Sequence, residues 1–509
     1  MVHPEERMSP NSVKAVQSDE TKRAPESTWM FWKMRRYVVA LLAFLGFCTS
    51  YALRVNLSIA IVAMTEFKNT TLDNGTVIQE REFDWDTKVQ GYVLSSFFYG
   101  YITTQLIGGY LAARIGGKRV FGTGIAVTAV LTLVTPWVAQ TNFYLLIVVR
   151  IIEGIFEGVT YPCIHAIWAK WAPPLERSRL ATIAFSGSYI GTVISMPLCS
   201  LLASSFGWES IFYCFGTVGI IWCILWMVIV TDSPEEDSKI SEYELNFITS
   251  ALNEESKSNK KANLKIPWRS FATSMPVWAI TVSHFSENWG FYTLLTQLPK
   301  FMKGVLDMKL NAAGFLSALP YLAMAIMTQF SGHLADWFLV KGILTTTQVR
   351  RTFNCSGFVA QTIFMMTAAY WLHPVGTTFC LTMAVGLGAF AWAGFSINHL
   401  DIAPQYASIL MGFGNTFATI PGIVSPILTG YIVTDETSIS EWRVVFFISS
   451  GIYLFGAVFY GTFVSGELQP WAVETQSLKT DFERYEDKNR TSRQTHYENK
   501  SFKPDSDYS

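Results

Sequence analysis

Twelve apolar stretches of about 20 residues each, spread along a chain of 509 residues, constrain the fold more than any other feature. That length lets an α-helix cross the hydrocarbon of a bilayer. With no water there to take up backbone N–H and C=O groups, each crossing must satisfy its own, and only helices or closed barrels do so. The stretches lie at about 37–64, 89–111, 119–139, 142–162, 179–204, 210–230, 276–298, 311–335, 352–371, 375–398, 404–433 and 443–464. The chain is half hydrophobic and only 15% charged, against about 25% in soluble domains. Its charges concentrate in residues 1–36, 231–275 and 465–509. The expectation is an all-α integral membrane protein: an N-terminal tail (1–36), a six-helix bundle (37–230), a linker (231–275), a second six-helix bundle (276–464) and a C-terminal tail (465–509).

Several classes are disfavoured at once. A formal net charge of −1 leaves no basic footprint for nucleic acid. The seven cysteines fall in or at the edges of spans, without the paired spacing of a disulfide framework or a zinc site, so no metal and no cofactor are expected. No HExxH or GxSxG set is present, which argues against an intramembrane enzyme. The first apolar segment is too long for the h-region of a cleavable signal peptide.

Basic residues set the expected orientation. Lys33, Arg35 and Arg36 precede span 1, Arg114, Lys118 and Arg119 join spans 2 and 3, and Lys170, Arg177 and Arg179 follow span 4. With twelve spans this places both termini in the cytoplasm. Lys300, Lys303 and Lys309 run against the rule, in an outer loop. The loop after span 1 carries two sequons, at Asn69 and Asn74, and fits an extracytoplasmic, glycosylated segment. An amphipathic stretch near 241–252 lies in the linker.

Charges inside the spans point to function. Arg150, Glu153 and Glu157 fall within about a quarter-turn of one face of span 4. A lone charge at the bilayer centre costs about 3 kcal/mol on insertion scales, so these three face protein or a wet cavity. One basic and two acidic groups on one buried face can bind an anion and carry a proton. Arg150 and Glu153, three residues apart, can equally neutralise each other. Arg54 sits in the middle of span 1 on a stripe with Tyr51 and Ser58; a guanidinium grips carboxylate or phosphate with two bonds. Glu287 in span 7 is a further proton site or a partner for Arg54 across the cavity. Tyr292, Tyr321 and Asn415 are candidate cavity-lining residues. His165, and His399 with Asp401 at the inner end of span 10, read as packing, cap or gate residues. Gly154 with Gly158, and Gly187 with Gly191, form small faces suited to close helix packing.

Six spans, a linker and six spans is a two-fold pseudo-repeat layout, with a site between the halves near the midplane. Gly109-Tyr-Leu-Ala-Ala113 after span 2 and Gly332-His-Leu-Ala-Asp336 after span 8 echo each other. The layout, with the glycine-basic loop 108–119 that includes Gly109, Arg114 and Gly116, resembles the major facilitator superfamily. Residues 51–58 (YALRVNLS), 95–109 (SSFFYGYITTQLIGG), 157–182 (EGVTYPCIHAIWAKWAPPLERSRLAT) and 398–412 (NHLDIAPQYASILMG) resemble its anion:cation symporter branch, the sialin, vesicular glutamate and sodium-phosphate group.

That resemblance implies proton- or sodium-coupled symport of a small anion by a monomer in the lipid of a plasma, endolysosomal or vesicular membrane. It also implies anion-binding roles for Arg54 and Arg150, proton coupling through Glu153 and Glu157, and gate roles for the 108–119 loop and Asp336. Acidic sugars, acidic amino acids and inorganic phosphate all remain open as substrates. Leu94 and Glu287 stand where the vesicular glutamate transporters carry histidine and arginine, and Ala113 stands where the loop signature has an acid.

Overall fold

The computed structural model describes residues 34–71, 77–259, 267–371 and 373–472. Its first half consists of α1 (Arg35–Met64), strands β1 (Phe67–Thr71) and β2 (Val77–Arg81), α2 (Thr87–Ile115), α3 (Gly117–Thr141), α4 (Phe143–Glu157) continued by α5 (Thr160–Trp171), α6 (Pro174–Phe206) and α7 (Glu209–Ile229). The linker carries α8 (Glu242–Asn259) and α9 (Trp268–Thr273). The second half is α10 (Met275–Gly304), α11 (Leu310–Val340), α12 (Thr346–Tyr370), α13 (Pro374–Ile402), α14 (Ala407–Ile432) and α15 (Ile439–Phe463).

Seven of these helices are long and apolar enough to cross a membrane on composition alone. The remaining spans of the six-and-six order are α2, α4–α5, α10, α12 and α14. The reason is visible in α10, which buries Ser283, His284, Ser286, Glu287 and Asn288, and in span 4, which is broken. The sequence places the end of span 4 at about 162. The chain instead loosens into a turn at Gly158 and Val159, both still at right-handed helical dihedrals, and continues as helix to Trp171.

Helix ends are fixed by local chemistry. Asp86 accepts from the Val89 N–H and Asn142 from the Tyr144 N–H, while Thr345 and Gln348 form a reciprocal capping box on α12. Gly116 takes φ +103°, and a side chain there would meet the carboxylate of Asp232. That carboxylate accepts from the Lys118 N–H at 3.2 Å and lies 3.7 Å from Arg119, so the end of span 6 holds the 2–3 loop. The β1–β2 hairpin is antiparallel, with Phe67 opposite Arg81 and Thr71 opposite Val77. It marks one end of the bundle, called here the hairpin end, and the other is the tail end. Asn69 lies in β1, and Asn74 lies outside the described residues.

The apolar core has two main bodies, one drawn from residues 39–230 and one from 271–472. Glycines set the closest approaches. A Cβ at Gly154 would meet the carbonyl of Phe97 on α2, and one at Gly187 or Gly191 the carbonyls of Phe44 or Cys48 on α1. At Gly332 a Cβ would meet nothing within 4 Å. Gly154→Val is therefore expected to destabilise the protein by about 3 kcal/mol or more through overpacking against backbone. Gly332→Ala is expected to leave it unchanged or slightly more stable. Thermal melts of the purified protein in detergent check both.

The halves meet through α2 against α14, α6 against α11 and α1 against α10. Gly91 lies against the Pro426 carbonyl, Gly422 against the Phe98 ring and Gly314 against Ser200. Polar bridges between halves run from the Thr87 hydroxyl donating to the Gly430 carbonyl (2.9 Å), through Tyr92–Tyr431 (2.7 Å), to Asn415 donating to Gln105 (2.9 Å). The first two of these, like Ser204–Asn311 (2.8 Å), belong to the hairpin end, so that end is closed. Beneath it sits an apolar plug shared by both halves: Val55, Phe97, Phe98, Tyr101 and Met196 against Tyr292, Leu295, Ala318 and Tyr321.

Candidate functional site

The charged residues of spans 1 and 4 converge. On α1, Arg54 donates from Nε to Glu157 Oε1 at 2.9 Å, and its Nη2 reaches the same oxygen. On α4, Arg150 Nη1 donates to Glu153 Oε2 at 2.6 Å, and its Nη2 lies 3.4 Å from the Arg54 carbonyl. Glu153 Oε1 accepts from the Thr132 hydroxyl of α3 at 3.1 Å. All four charged side chains are at most 3% exposed.

Glycine makes this proximity possible. Because Gly154 admits the Phe97 carbonyl, α2 lies close on α4 and its rings reach α1. The Arg54 guanidinium carbon is 4.5 Å from the Tyr51 ring centroid, 4.6 Å from Tyr101 and 4.9 Å from Phe97. Ring faces favour a cation, all the more where water is excluded. Tyr51 is therefore a wall of the Arg54 box, its hydroxyl accepting from Tyr161, which also pairs with Ser188. Ser58, from the same stripe, spends its hydroxyl on the Val55 carbonyl of its own helix.

The two pairs cancel in charge, yet their bonding is incomplete. Arg54 Nη1, Arg150 Nε and Glu157 Oε2 are buried without a protein partner. Both arginines line one void of about 10 Å³, walled also by Ser58, Leu94, Phe97, Phe98, Leu295 and Thr296. That is room for about one water.

Glu287 does not join this cluster. The pairing with Arg54 open on sequence is not made: Arg54 is committed to Glu157 on its own half. Glu287 instead accepts from Gln361 of α12 at 3.4 Å, its other oxygen without partner, and no lysine or arginine among the described residues forms an ion pair with it. Tyr292 packs edge-on against Phe98 at 4.6 Å between ring centroids, in the plug. Asn415 makes the bridge to Gln105 between the halves named above. Tyr321 is fully buried, its hydroxyl without partner.

The remaining candidates are peripheral. His165 is exposed beside Phe185. His399 is buried, its Nδ1 3.1 Å from the Ser396 carbonyl, and Asp401 pairs with Arg350 at 2.7 Å. Arg114 lies over Tyr110, Asp336 is exposed, and Gly109 is part of α2. Sequence reasoning missed Thr132, Phe97, Tyr101, Gln361 and Arg350. Thr128, Thr132 and Thr135, on one face of span 3, carried a signal for the first. Arg350 carried none, because it falls just before the expected start of span 9.

The Major Facilitator Superfamily profile matches residues 39–426. The chain is 45% identical to sialin of Homo sapiens over 456 residues, covering 86% of this chain and 91% of that protein. It is 44% identical to vesicular glutamate transporter 1 of Xenopus laevis over 452 residues, covering 88% and 78%. Among solved structures, a bacterial homolog to the human lysosomal transporter Spinster, inward-facing and unoccupied, superposes with a TM-score of 0.65 at 14% identity, covering 86% of this chain and 99% of that one. A D-xylose-proton symporter superposes at 0.62 and 15%, covering 84% and 99%; both likenesses concern the fold alone. The chain belongs to the major facilitator superfamily, in the branch that holds sialin and the vesicular glutamate transporters, and is a multi-pass membrane secondary transporter, not an enzyme.

Proposed function

We propose that this transporter moves a small organic anion, of acidic-sugar or acidic-amino-acid type, together with a proton by alternating access. The observation that carries this reading is the buried Arg54–Glu157 pair, whose Arg54 Nη1 and Glu157 Oε2 have no protein partner, next to a void that Arg54 and Arg150 line. A proton on Glu157 releases Arg54 from its counter-ion, and the anion replaces it. A carboxylate then accepts from the guanidinium with two bonds, stronger than a neutral pair. Arg150 supplies the second positive wall, and Glu153 balances it. Tyr51, Tyr292 and Asn415 line the route, Glu287 is a further proton acceptor in the second half, and His165, His399, Asp401 and the 108–119 loop serve the tail-end gate. The two six-helix units, 37–230 and 276–464, rock about the site as a monomer, with both termini cytoplasmic. The membrane is a lysosomal, vesicular or plasma membrane, and no cofactor beyond the coupling ion takes part.

Charge bookkeeping sharpens the expectation. One proton plus one monovalent anion leaves the pocket's net charge unchanged, so uptake of a monovalent acid is expected to generate no current. The test is uptake of radiolabelled acidic sugars, acidic amino acids and phosphate into proteoliposomes at two external pH values, with and without sodium. Acid-stimulated, sodium-independent uptake of an organic acid is the expected result. Sodium-dependent phosphate uptake would make this a sodium-phosphate cotransporter, and no flux of any anion would make it a sensor on a transporter scaffold.

A further inference from the structure

Lys300 and Lys303 break the charge pattern expected of an outer loop, and the structure gives them work. Both belong to the last turns of α10. Lys300 is only 5% exposed, although lysine is seldom buried unless paired. Its ammonium donates to Gln90 Oε1 on α2 at 2.8 Å and lies 3.0 Å from Glu436 Oε1 in the loop between α14 and α15. Gln90 in turn donates from Nε2 to the same Glu436 oxygen at 3.2 Å and to the Trp85 carbonyl at 3.1 Å. One turn on, Lys303 lies 2.6 Å from Glu66, just past the end of α1. Gln90 and Glu66 belong to the first half, and Lys300, Lys303 and Glu436 to the second.

We propose that Lys300 and Lys303 are gate residues: with Gln90, Glu436 and Glu66 they form a charged latch that holds the hairpin end shut. The inference rests on alternating access only for its consequence in transport. Opening that end must part α1 and α2 from α10 and α14, and so must break Lys300–Gln90 and Lys303–Glu66. Closed, these groups are partly out of water and paired with one another. Open, water replaces the contacts that cross between halves, Gln90 to Lys300 and Glu436, and Glu66 to Lys303, while Lys300 can keep Glu436 within its own half; the latch therefore stores a bias toward the closed state without forbidding the other. The loop bearing Glu436 is itself ordered. The hydroxyl and N–H of Thr437 both donate to Asp435 Oδ1, at 2.7 and 2.9 Å, and hold that carboxyl below its usual range. A side chain at Gly304 would collide with the Glu436 carbonyl, which fixes the loop against α10. Lys309, third of the irregular lysines, is exposed and supplies a control.

The test is hydrogen exchange on the purified full-length protein, with no substrate present, so that its outcome is independent of the transport reading. Lys300→Gln and Lys303→Glu are each expected to speed exchange about tenfold at amides of 87–92 and 430–436. Lys309→Gln should leave those amides unchanged. Lys303→Glu combined with Glu66→Lys should return them to the wild-type rate, since a reversed pair closes the same gap. Unchanged exchange in both single variants, or a reversed pair no slower than Lys303→Glu alone, would overturn the latch. If anion uptake fails for every substrate while the reversed pair still restores protection, the latch stands and the transport reading falls.

Discussion

Arg54→Ala is expected to abolish anion uptake and also to lower the melting temperature, for two separable reasons. The guanidinium lines the void and keeps one Nη without a protein partner, and losing a charged hydrogen bond to substrate costs about 1.5–3 kcal/mol, or tenfold and more in affinity. The alanine also leaves Glu157 buried with its charge uncompensated, and removing one member of a buried pair costs about 3–5 kcal/mol of stability. The double variant Arg54→Ala/Glu157→Gln separates the two effects. It removes the orphaned carboxylate, so stability should recover while uptake does not. Arg54→Lys keeps the charge but loses the planar face that lies over Tyr51, Tyr101 and Phe97, and an ammonium cannot offer the paired N–H groups of the fork. Partial uptake at raised substrate concentration is expected. Paired melts and proteoliposome uptake decide the matter: uptake within twofold of wild type in the double variant removes Arg54 from the anion site.

How much of this was legible in the chain follows from what each signal measures. Hydropathy reads a span's whole circumference, so the apolar stretches reappear as long helices, seven of them apolar enough on composition alone to cross a membrane. It could not see the loosened turn at Gly158–Val159, where polarity does not change and both residues keep right-handed helical dihedrals, but the regular helix is interrupted. Intramembrane charge is expensive, and that expense picked out Arg54, Arg150, Glu153 and Glu157. It could not say who pairs with whom. Arg150 and Glu153 lie three apart on one helix, and their pairing was foreseeable from periodicity. Arg54 and Glu157 are 103 positions apart, and only the docking of α1 and α4 around α2 brings them together. The threonine face of span 3 marked Thr132 as a polar residue, but neither it nor Gln361 carried a sign of its partner, because the contacts to Glu153 and Glu287 depend on how the helices are rotated against each other. The lysines of 300–309 looked like noise in an orientation rule. Contacts to Gln90 and Glu436 for the buried Lys300, and to Glu66 for the half-buried Lys303, give two of them partners across or beside the interface.

The second large effect concerns the proton. Glu157→Gln is expected to lose acid-driven accumulation by about tenfold or more while anion exchange at equal pH survives; tenfold corresponds to about 1.4 kcal/mol of coupling. Geometry singles out Glu157 over Glu153. Both oxygens of Glu153 are engaged, one by Thr132 and one by Arg150, so a proton there must share an oxygen that already accepts a bond and weakens it. Glu157 receives both Arg54 donors on one oxygen and leaves the other bare, so it can take a proton at Oε2 and only then let Arg54 go. Glutamine at 157 can still accept from Arg54 through its carbonyl oxygen but has no proton to give up, which is why exchange should outlive coupling. Glu153→Gln leaves Arg150 without a counter-charge, as Glu157→Gln leaves Arg54, so both should lower the melting temperature, and the pH dependence of uptake is what tells them apart. Glu287→Gln breaks no ion pair, because none among the described residues involves it; a flattened pH profile there with normal stability would move the proton to the second half. The three glutamine variants, measured side by side for melting temperature, exchange and pH-driven uptake, assign the proton to one carboxyl. Full pH-gradient dependence in Glu157→Gln vesicles would take it away from Glu157.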